Sequence, residues 1–277
     1  ENDYKYIFNH AEVKFCFLSD EILYQKAKLA QKDSPQLAEI FTFDQVKNAK
    51  NWKEVLALGT DVTRQDEVDE QKAKVKANDL ATIIYTSGTT GDPKGVKLTQ
   101  KMLLMAATAV MLRMRRNNLG LTEADRYISY LPLAHSFEQA LFAMSTIFGI
   151  QCGFFGGDVL KLTKEDIPVL KPTFFPSVPR LYNRIYGVIQ DKLKEATGFK
   201  GWLVGNAIAT KTAALNTTGA VTHGCYDSLV FNKMKAIMGG QVRIMLTGSA
   251  PISKEVLDFL KICFCCPILE GYGMTET

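Results

Sequence analysis

Short β-prone apolar runs alternate with longer amphipathic stretches along almost the whole chain, and this alternation limits the folds open to it. Residues 14–18 and 37–41 read as strands, with a helix between them that Ser19 caps and that runs to about residue 30. Another helix at 52–58 ends at Gly59. Further strands are expected at 80–85, 127–131, 151–155, 173–175, 242–246 and 267–269. Helices are expected at 136–148, 179–197, 201–215, 225–238 and 253–262, and Thr99 reads as the N-cap of one more, through about Met114. Strands separated by helices pair in parallel through crossovers, so the expected class is α/β: layered, mostly parallel sheets flanked by helices.

The 277 residues suffice for one large domain or two small ones. Residues 60–78 are dense in Asp, Glu, Lys and Gln and read as a charged linker, closing a partial first α/β lobe at 1–78 ahead of a core lobe at 79–277. Hydrophobic residues at 47% and charged residues at 22% exclude disorder as the main state. Net charge is only +4 and no run of Lys or Arg is long enough for a nucleic-acid groove, so no nucleic-acid partner is expected. Arg113, Arg115 and Arg116 are the densest basic cluster and read as a solvated helix end.

The six cysteines hold a single C-x-x-C spacing, Cys263 to Cys266, inside an apolar stretch and with no second pair, which favours packed thiols in a reducing, intracellular compartment over zinc or disulfides. With three histidines, His10, His135 and His223, a His-rich metal site is excluded. The longest apolar stretches, 103–112 and 141–155, are shorter than the roughly 20 residues that span a bilayer. The chain opens at Glu1 without an initiator Met or signal peptide and stops at Thr277, and it reads as part of something longer.

Chemistry concentrates in two stretches. Thr86-Ser87-Gly88-Thr89-Thr90-Gly91-Asp92-Pro93-Lys94-Gly95 packs hydroxyls, glycines and a lysine directly after a strand. Glycines let backbone N–H groups approach phosphates, hydroxyls add donors, and an ammonium neutralises charge. The spacing is not that of a Walker A loop, because the glycines at 88 and 91 precede Lys94 and no helix follows at once. The alternative is a glycine-rich hairpin turn with exposed threonines.

Leu269-Glu270-Gly271-Tyr272-Gly273-Met274-Thr275-Glu276-Thr277 falls short of a dinucleotide fingerprint, since Glu276 stands where a third glycine belongs. An acid facing polyphosphate makes sense with a cation between them, so Glu276 suggests Mg²⁺. Tyr272 offers a flat face for a purine and Thr275 a hydroxyl for the α-phosphate; a turn with a buried tyrosine is the other reading.

Together the two loops resemble the adenylate-forming superfamily, and the residues between them narrow the resemblance. Tyr130-Leu131-Pro132-Leu133-Ala134-His135-Ser136-Phe137-Glu138, Gly153-Phe154-Phe155-Gly156-Gly157-Asp158, the run from Pro172 to Tyr186, and Leu246-Thr247-Gly248-Ser249-Ala250-Pro251-Ile252 are similar to the eukaryotic long-chain fatty acyl-CoA synthetases. So is the opening Tyr6-Ile7-Phe8-Asn9-His10-Ala11-Glu12, and the likeness covers essentially the whole chain. It implies part of the large N-terminal domain of such an enzyme, with ATP, Mg²⁺, coenzyme A and a long-chain fatty acid as cofactors and substrates.

The resemblance further implies that Thr86, Ser87, Gly88, Thr89, Thr90, Gly91 and Lys94 hold the β- and γ-phosphates, with Thr86 a second candidate Mg²⁺ ligand. Gly248, Ser249, Ala250 and Pro251 would line the adenine and carboxylate region, and Glu270, Gly271 and Tyr272 would complete the adenine slot, continued by Gly273 and Met274. Thr275 would meet the α-phosphate, Glu276 would hold Mg²⁺, and His135 would border the acyl-adenylate; its competing reading is a helix-start cap. Phe174 to Tyr186 reads as an acyl-tunnel wall or as core, Arg180 and Arg184 as surface groups, and Cys263, Cys265 and Cys266 as packing. The family's ribose-binding aspartate, hinge and C-terminal lysine lie outside this sequence, so the isolated piece is expected to bind ATP weakly without turnover. The resemblance implies peripheral contact of the parent protein with the endoplasmic reticulum or another organelle and leaves its oligomeric state open. An adenylating enzyme for another acid, or a nucleotide-binding homologue without chemistry, are the alternatives.

Overall fold

A computed structural model describes residues 2–60, 62–86, 92–159 and 161–276. The chain forms two compact units, Glu1–Gln100 and Lys101–Thr277. They divide after a β-hairpin.

In the first unit, α1 (Asn2–His10), β1 (Phe15–Leu18), α2 (Glu21–Gln31), β2 (Glu39–Thr42) and β3 (Lys50–Asn51) build a three-stranded parallel sheet of order β1-β2-β3. Its small core gathers Phe8, Leu18, Tyr24, Ala27, Ala30, Leu37 and Ile40. Asp20, and not Ser19, caps α2: its carboxylate accepts the Leu23 N–H at 2.9 Å, while Ser19 donates to Asp20. Asp wins here because an ionised oxygen at a helix N-terminus also meets the helix dipole. Asn51 caps α3 (Trp52–Leu58) in a reciprocal box with Glu54.

The charged stretch carries a helix, α4 (Gln65–Lys74), every described side chain of which is exposed. Ion pairs one turn apart, Arg64–Glu67, Lys72–Asp69 and Lys74–Glu70, hold it in place of a buried face. Each such pair is worth about 0.3–0.5 kcal/mol. The unit ends in an antiparallel pair, β4 (Leu80–Thr86) and β5 (Lys94–Thr99), registered Thr86 to Lys94.

The second unit runs α5 (Gln100–Arg116), β6 (Arg126–Ser129), α6 (Ser136–Phe148), β7 (Gln151–Phe154), α7 (Ile167–Leu170), β8 (Phe174–Ser177), α8 (Pro179–Lys194) and α9 (Gly198–Thr218). An irregular helical stretch over 224–238 follows, made of α10 (Gly224–Tyr226), a π-turn at Asp227–Phe231, α11 (Asn232–Lys235) and a 3₁₀ turn at Ala236–Met238. Then come β9 (Ile244–Thr247), α12 (Lys254–Phe264) and β10 (Ile268–Glu270). Strands pair in parallel in the orders β10-β9-β8 and β6-β7. Beside β8, β6 is tied on by Thr173 N–H to Arg126 O at 2.9 Å and by Arg126 N–H to Thr173 Oγ1 at 3.0 Å.

Alternation along β8 and β9 shows why these short runs are almost wholly apolar. Phe174, Ile244 and Leu246 point into a core closed by Ala107, Met111 and Met114 of α5 and Leu141 and Met144 of α6. Phe175 and Met245 point the opposite way, into a core closed by Tyr182 and Ile185 of α8, Ala207 of α9 and Leu260 and Phe264 of α12. Helices on both faces leave the strand ends as the place where polar groups gather. Phe174, Phe175 and Tyr182 are fully buried, the core reading of that aromatic run.

Candidate functional site

In the first unit the phosphate-loop candidate is the connection of a β-hairpin, with Lys94 the first residue of β5. Thr86 donates from Oγ1 to the Lys94 carbonyl at 3.4 Å, and the Lys94 side chain is exposed. Ser87, Gly88, Thr89, Thr90 and Gly91 lie outside the described residues. Tyr85, next to Thr86, is held from α1: its hydroxyl lies 2.7 Å from His10 Nδ1, and Tyr6 stacks on the His10 ring with centroids 5.1 Å apart.

In the second unit the candidates collect at the carboxyl ends of the parallel strands. The chain leaves β9 through Gly248 and Ser249 and leaves β10 through Gly271 and Tyr272; Gly271 N–H donates to the Thr247 carbonyl at 2.8 Å. A Cβ at Gly248 would sit 3.1 Å from the Gly271 carbonyl oxygen and 3.9 Å from Phe137 Cζ of α6, so the two exits approach closely and a side chain there would crowd the Gly271 carbonyl. Ser249 then adopts φ +70°, left-handed backbone that few non-glycine residues take. Thr247 Oγ1 is buried without a hydrogen-bond partner at this edge. Tyr272 is 94% exposed, so its ring is a free flat face and not the buried tyrosine of the alternative reading. Ala250, Pro251, Glu270, Gly273, Met274 and Glu276 are exposed and Thr275 is half-buried along the same rim.

His135 is the N-cap of α6, its Nδ1 accepting the Phe137 N–H at 3.1 Å. That geometry satisfies the capping reading, and it leaves Nε2 as the only ring nitrogen able to face a ligand. Three positions on, Glu138 occupies the N3 position from which an acid could reach back to the cap, yet it turns inward. Its Oε1 accepts the Ser129 hydroxyl at 2.5 Å, while Oε2 is buried with no partner. Burial pushes this carboxyl up to about 7 against the pull of the Ser129 bond. Tyr130 donates to Ser177 Oγ at 2.7 Å and joins the ends of β6 and β8.

The raised Glu138 fixes a pH dependence. A carboxyl that is harder to ionise folded than unfolded stabilises the fold at low pH and withdraws that contribution as pH climbs from about 4.5 past 7. Allowing for solvent near the helix start, the effect is about 2 kcal/mol. Glu138→Gln is expected to remove that pH slope and to be the more stable form at pH 8. Urea midpoints of both proteins at pH 5 and pH 8 measure it, and equal slopes would refute the assignment.

Sequence reasoning did not single out Thr247, Glu138 or Ser177. Glu138 carried a signal, an acid inside an apolar helix, whereas the orphaned Thr247 hydroxyl becomes visible only once β9 is placed.

The model of the AMP-binding enzyme family matches residues 1–277, the entire chain. The chain belongs to the AMP-binding enzyme family. Long chain acyl-CoA synthetase 5 of Arabidopsis thaliana is 36% identical across 99% of this chain and 42% of its own length. Human long-chain-fatty-acid–CoA ligase 1 is 36% identical across 98% of this chain and 39% of its own length. The AMP-binding chain thus spans about two fifths of those relatives. Among solved structures, the luciferase-like enzyme of the mealworm Zophobas morio superposes with a TM-score of 0.66 at 17% identity, covering 99% of this chain and 52% of that one. At that identity the likeness speaks for the fold alone, α/β with parallel sheets flanked by helices.

Proposed function

We propose that this AMP-binding chain is the nucleotide- and acid-binding part of a long-chain fatty acid–CoA ligase. In the parent enzyme a fatty carboxylate attacks the α-phosphorus of ATP, pyrophosphate leaves, and the CoA thiolate then displaces AMP. The observation that carries this reading is the close approach of Gly248 to Gly271, followed in the chain by an exposed Tyr272, at the carboxyl edge of a parallel sheet. Backbone bare of side chains and a free aromatic face suit a flat base, and the orphaned Thr247 hydroxyl is a polar group in want of a partner. The fatty-acid class rests on the relatives, whose names are long-chain acyl-CoA synthetases.

Each residue then has a role. Gly248, Ser249, Ala250 and Pro251 line the base and carboxylate side, Glu270, Gly271, Tyr272, Gly273 and Met274 shape the adenine slot, and Thr275 donates to the α-phosphate. Thr86, Ser87, Gly88, Thr89, Thr90, Gly91 and Lys94 hold the β- and γ-phosphates, and His135 Nε2 borders the carboxylate. Glu276, with Thr86 as second candidate, fits Mg²⁺ as an oxygen donor. No group of three or more His, Cys, Asp or Glu that could hold a metal occurs among the described residues, so phosphate oxygens would complete the shell. When bound, Mg²⁺ supplies neutralisation of charge on the departing pyrophosphate.

The parent protein's place at an organelle membrane belongs to the same proposal; no helix among the described residues is long and apolar enough to cross a membrane. ATP–pyrophosphate exchange by the full-length protein, with acids from acetate to long saturated chains and amino acids as controls, tests the reading. Exchange stimulated by long acids alone is expected. Exchange driven by another acid would reassign the substrate, and none at all despite Mg-ATP binding would make this a nucleotide-binding homologue without chemistry.

A further inference from the structure

The second unit buries a lysine that the adenylation reading leaves without a role. Lys211 of α9 has a side chain only 1% exposed. Its Nζ donates to Asp227 Oδ1 at 2.6 Å and to the Ile262 carbonyl at 2.7 Å, touches Cys265 Sγ at 3.1 Å, and lies 4.2 Å from the centre of the Phe231 ring. All three ammonium protons are therefore directed, one of them at sulfur.

Cys265 is held there by an uncommon backbone. It ends α12 in the left-handed region, φ +55° and ψ +33°, with its N–H on the Lys261 carbonyl. Glycine occupies such a C-cap at no steric cost, and a cysteine accepts strain whose visible return is the contact of its thiol with Lys211. Its neighbours Cys263 and Cys266 are buried, and Cys225 is exposed.

We propose that Lys211 and Cys265 are a redox site, closed by dioxygen into a covalent Nζ–O–Sγ bridge and reopened by thiols. The thiol, the ammonium and one O₂ give the S–O–N(H) link, one water and one proton. S–O and O–N bonds form, while the O–O bond, the S–H bond and N–H bonds break. Sulfur and nitrogen are each oxidised by two electrons, and the four electrons reduce dioxygen, one atom of which stays in the bridge while the other leaves as water.

Asp227 is the proton acceptor at hand. Burial works against its charge, but bonds from Lys211 and from the His223 N–H at 2.8 Å hold its carboxyl below the usual range, so it is ionised. Burial likewise holds the Cys265 thiol above its ordinary range despite the pull of Lys211. Asp227, bonded to the same ammonium as the sulfur, is the carboxylate placed to take up the proton released.

The bridge would tie α9 to the turn that opens into β10, the strand that delivers Glu270 and Tyr272. It stands independently of the ligase reading, because its detection needs no turnover. The full-length protein is held in air-saturated buffer or in dithiothreitol, digested with trypsin, and mapped by tandem mass spectrometry. Expected in the aerobic sample are joined 211 and 265 peptides, heavier than their sum by one oxygen less two hydrogens, uncleaved after Lys211 and separated by dithiothreitol. The aerobic protein is also expected to melt several degrees higher than the reduced one, a difference absent from Cys265→Ser. Wild-type mapping alone decides: Cys265 found as free thiol, as sulfinic or sulfonic acid, or in a disulfide, with Lys211 unlinked, would overturn the proposal.

Discussion

Asp125→Ala is expected to destabilise the second unit by about 3 kcal/mol, the scale of breaking a buried, hydrogen-bonded ion pair. Asp125 is 3% exposed in the turn before β6 and ties several segments together. Its carboxylate accepts Arg243 Nε at 2.8 Å, pairs with the Arg243 terminal nitrogen, and accepts the Thr173 hydroxyl at 2.6 Å and the Thr122 N–H at 2.8 Å. Those donors precede β8 and β9 and the turn itself, so one side chain sets how three strands begin. Removing it strands the Thr173 hydroxyl and the Thr122 N–H; Arg243, 40% exposed, can recover water, which keeps the cost at the low end.

The same variant has a pH signature. Burial opposes ionisation of Asp125, but the bonds from Arg243, Thr173 and Thr122 overcome it and hold the carboxyl at about 2. A depressed carboxyl contributes stability above its ordinary value near 3.8 and loses it as pH falls toward 2. Wild-type protein is therefore expected to unfold in acid more steeply than Asp125→Ala between pH 4 and pH 2. Denaturant titrations across that range measure both effects, and a loss below about 1 kcal/mol at pH 7 would show that the turn is held by something else.

Elements whose signal is local were legible in the residues. The helix expected at 136–148 is α6, Ser136–Phe148, and the strands expected at 151–155 and 267–269 lie within a residue or two of β7 and β10. Periodicity and caps sit within a few positions of what they specify, and parallel pairing follows once helices separate the strands. Other features depend on what the rest of the chain brings near. Helix α1 has a mixed composition, and Tyr4 packing on Phe8 one turn away, ring centroids 5.6 Å apart, becomes meaningful only against α2. The charged stretch looked like a linker because nothing in it needs burial, yet ion pairs one turn apart suffice for a helix. At the site, the glycines and Tyr272 announced themselves by type. The inward turn of Glu138, the left-handed backbone of Ser249 and the lysine against Cys265 did not, since each is a relation between distant segments.

The sharper test of the site separates binding from chemistry. Glu276→Ala and Lys94→Ala in the full-length enzyme are each expected to lower kcat for ATP–pyrophosphate exchange by about 10²–10³-fold, the effect of removing one charge-stabilising group from a transition state. Tyr272→Ala is expected to act otherwise. A ring that offers only a stacking face binds ground state and transition state alike, so KM for ATP should rise about tenfold, within the 1–3 kcal/mol of a base–aromatic contact, with kcat kept. All three side chains are exposed, so the variants should fold, and far-ultraviolet circular dichroism with melting curves checks that. The split decides between readings that a simple loss of activity would not. If Tyr272→Ala lost kcat while Glu276→Ala only raised KM, the tyrosine would belong to the reacting centre and the acid to substrate capture, and the assignment of the Glu270–Glu276 rim would have to be reversed.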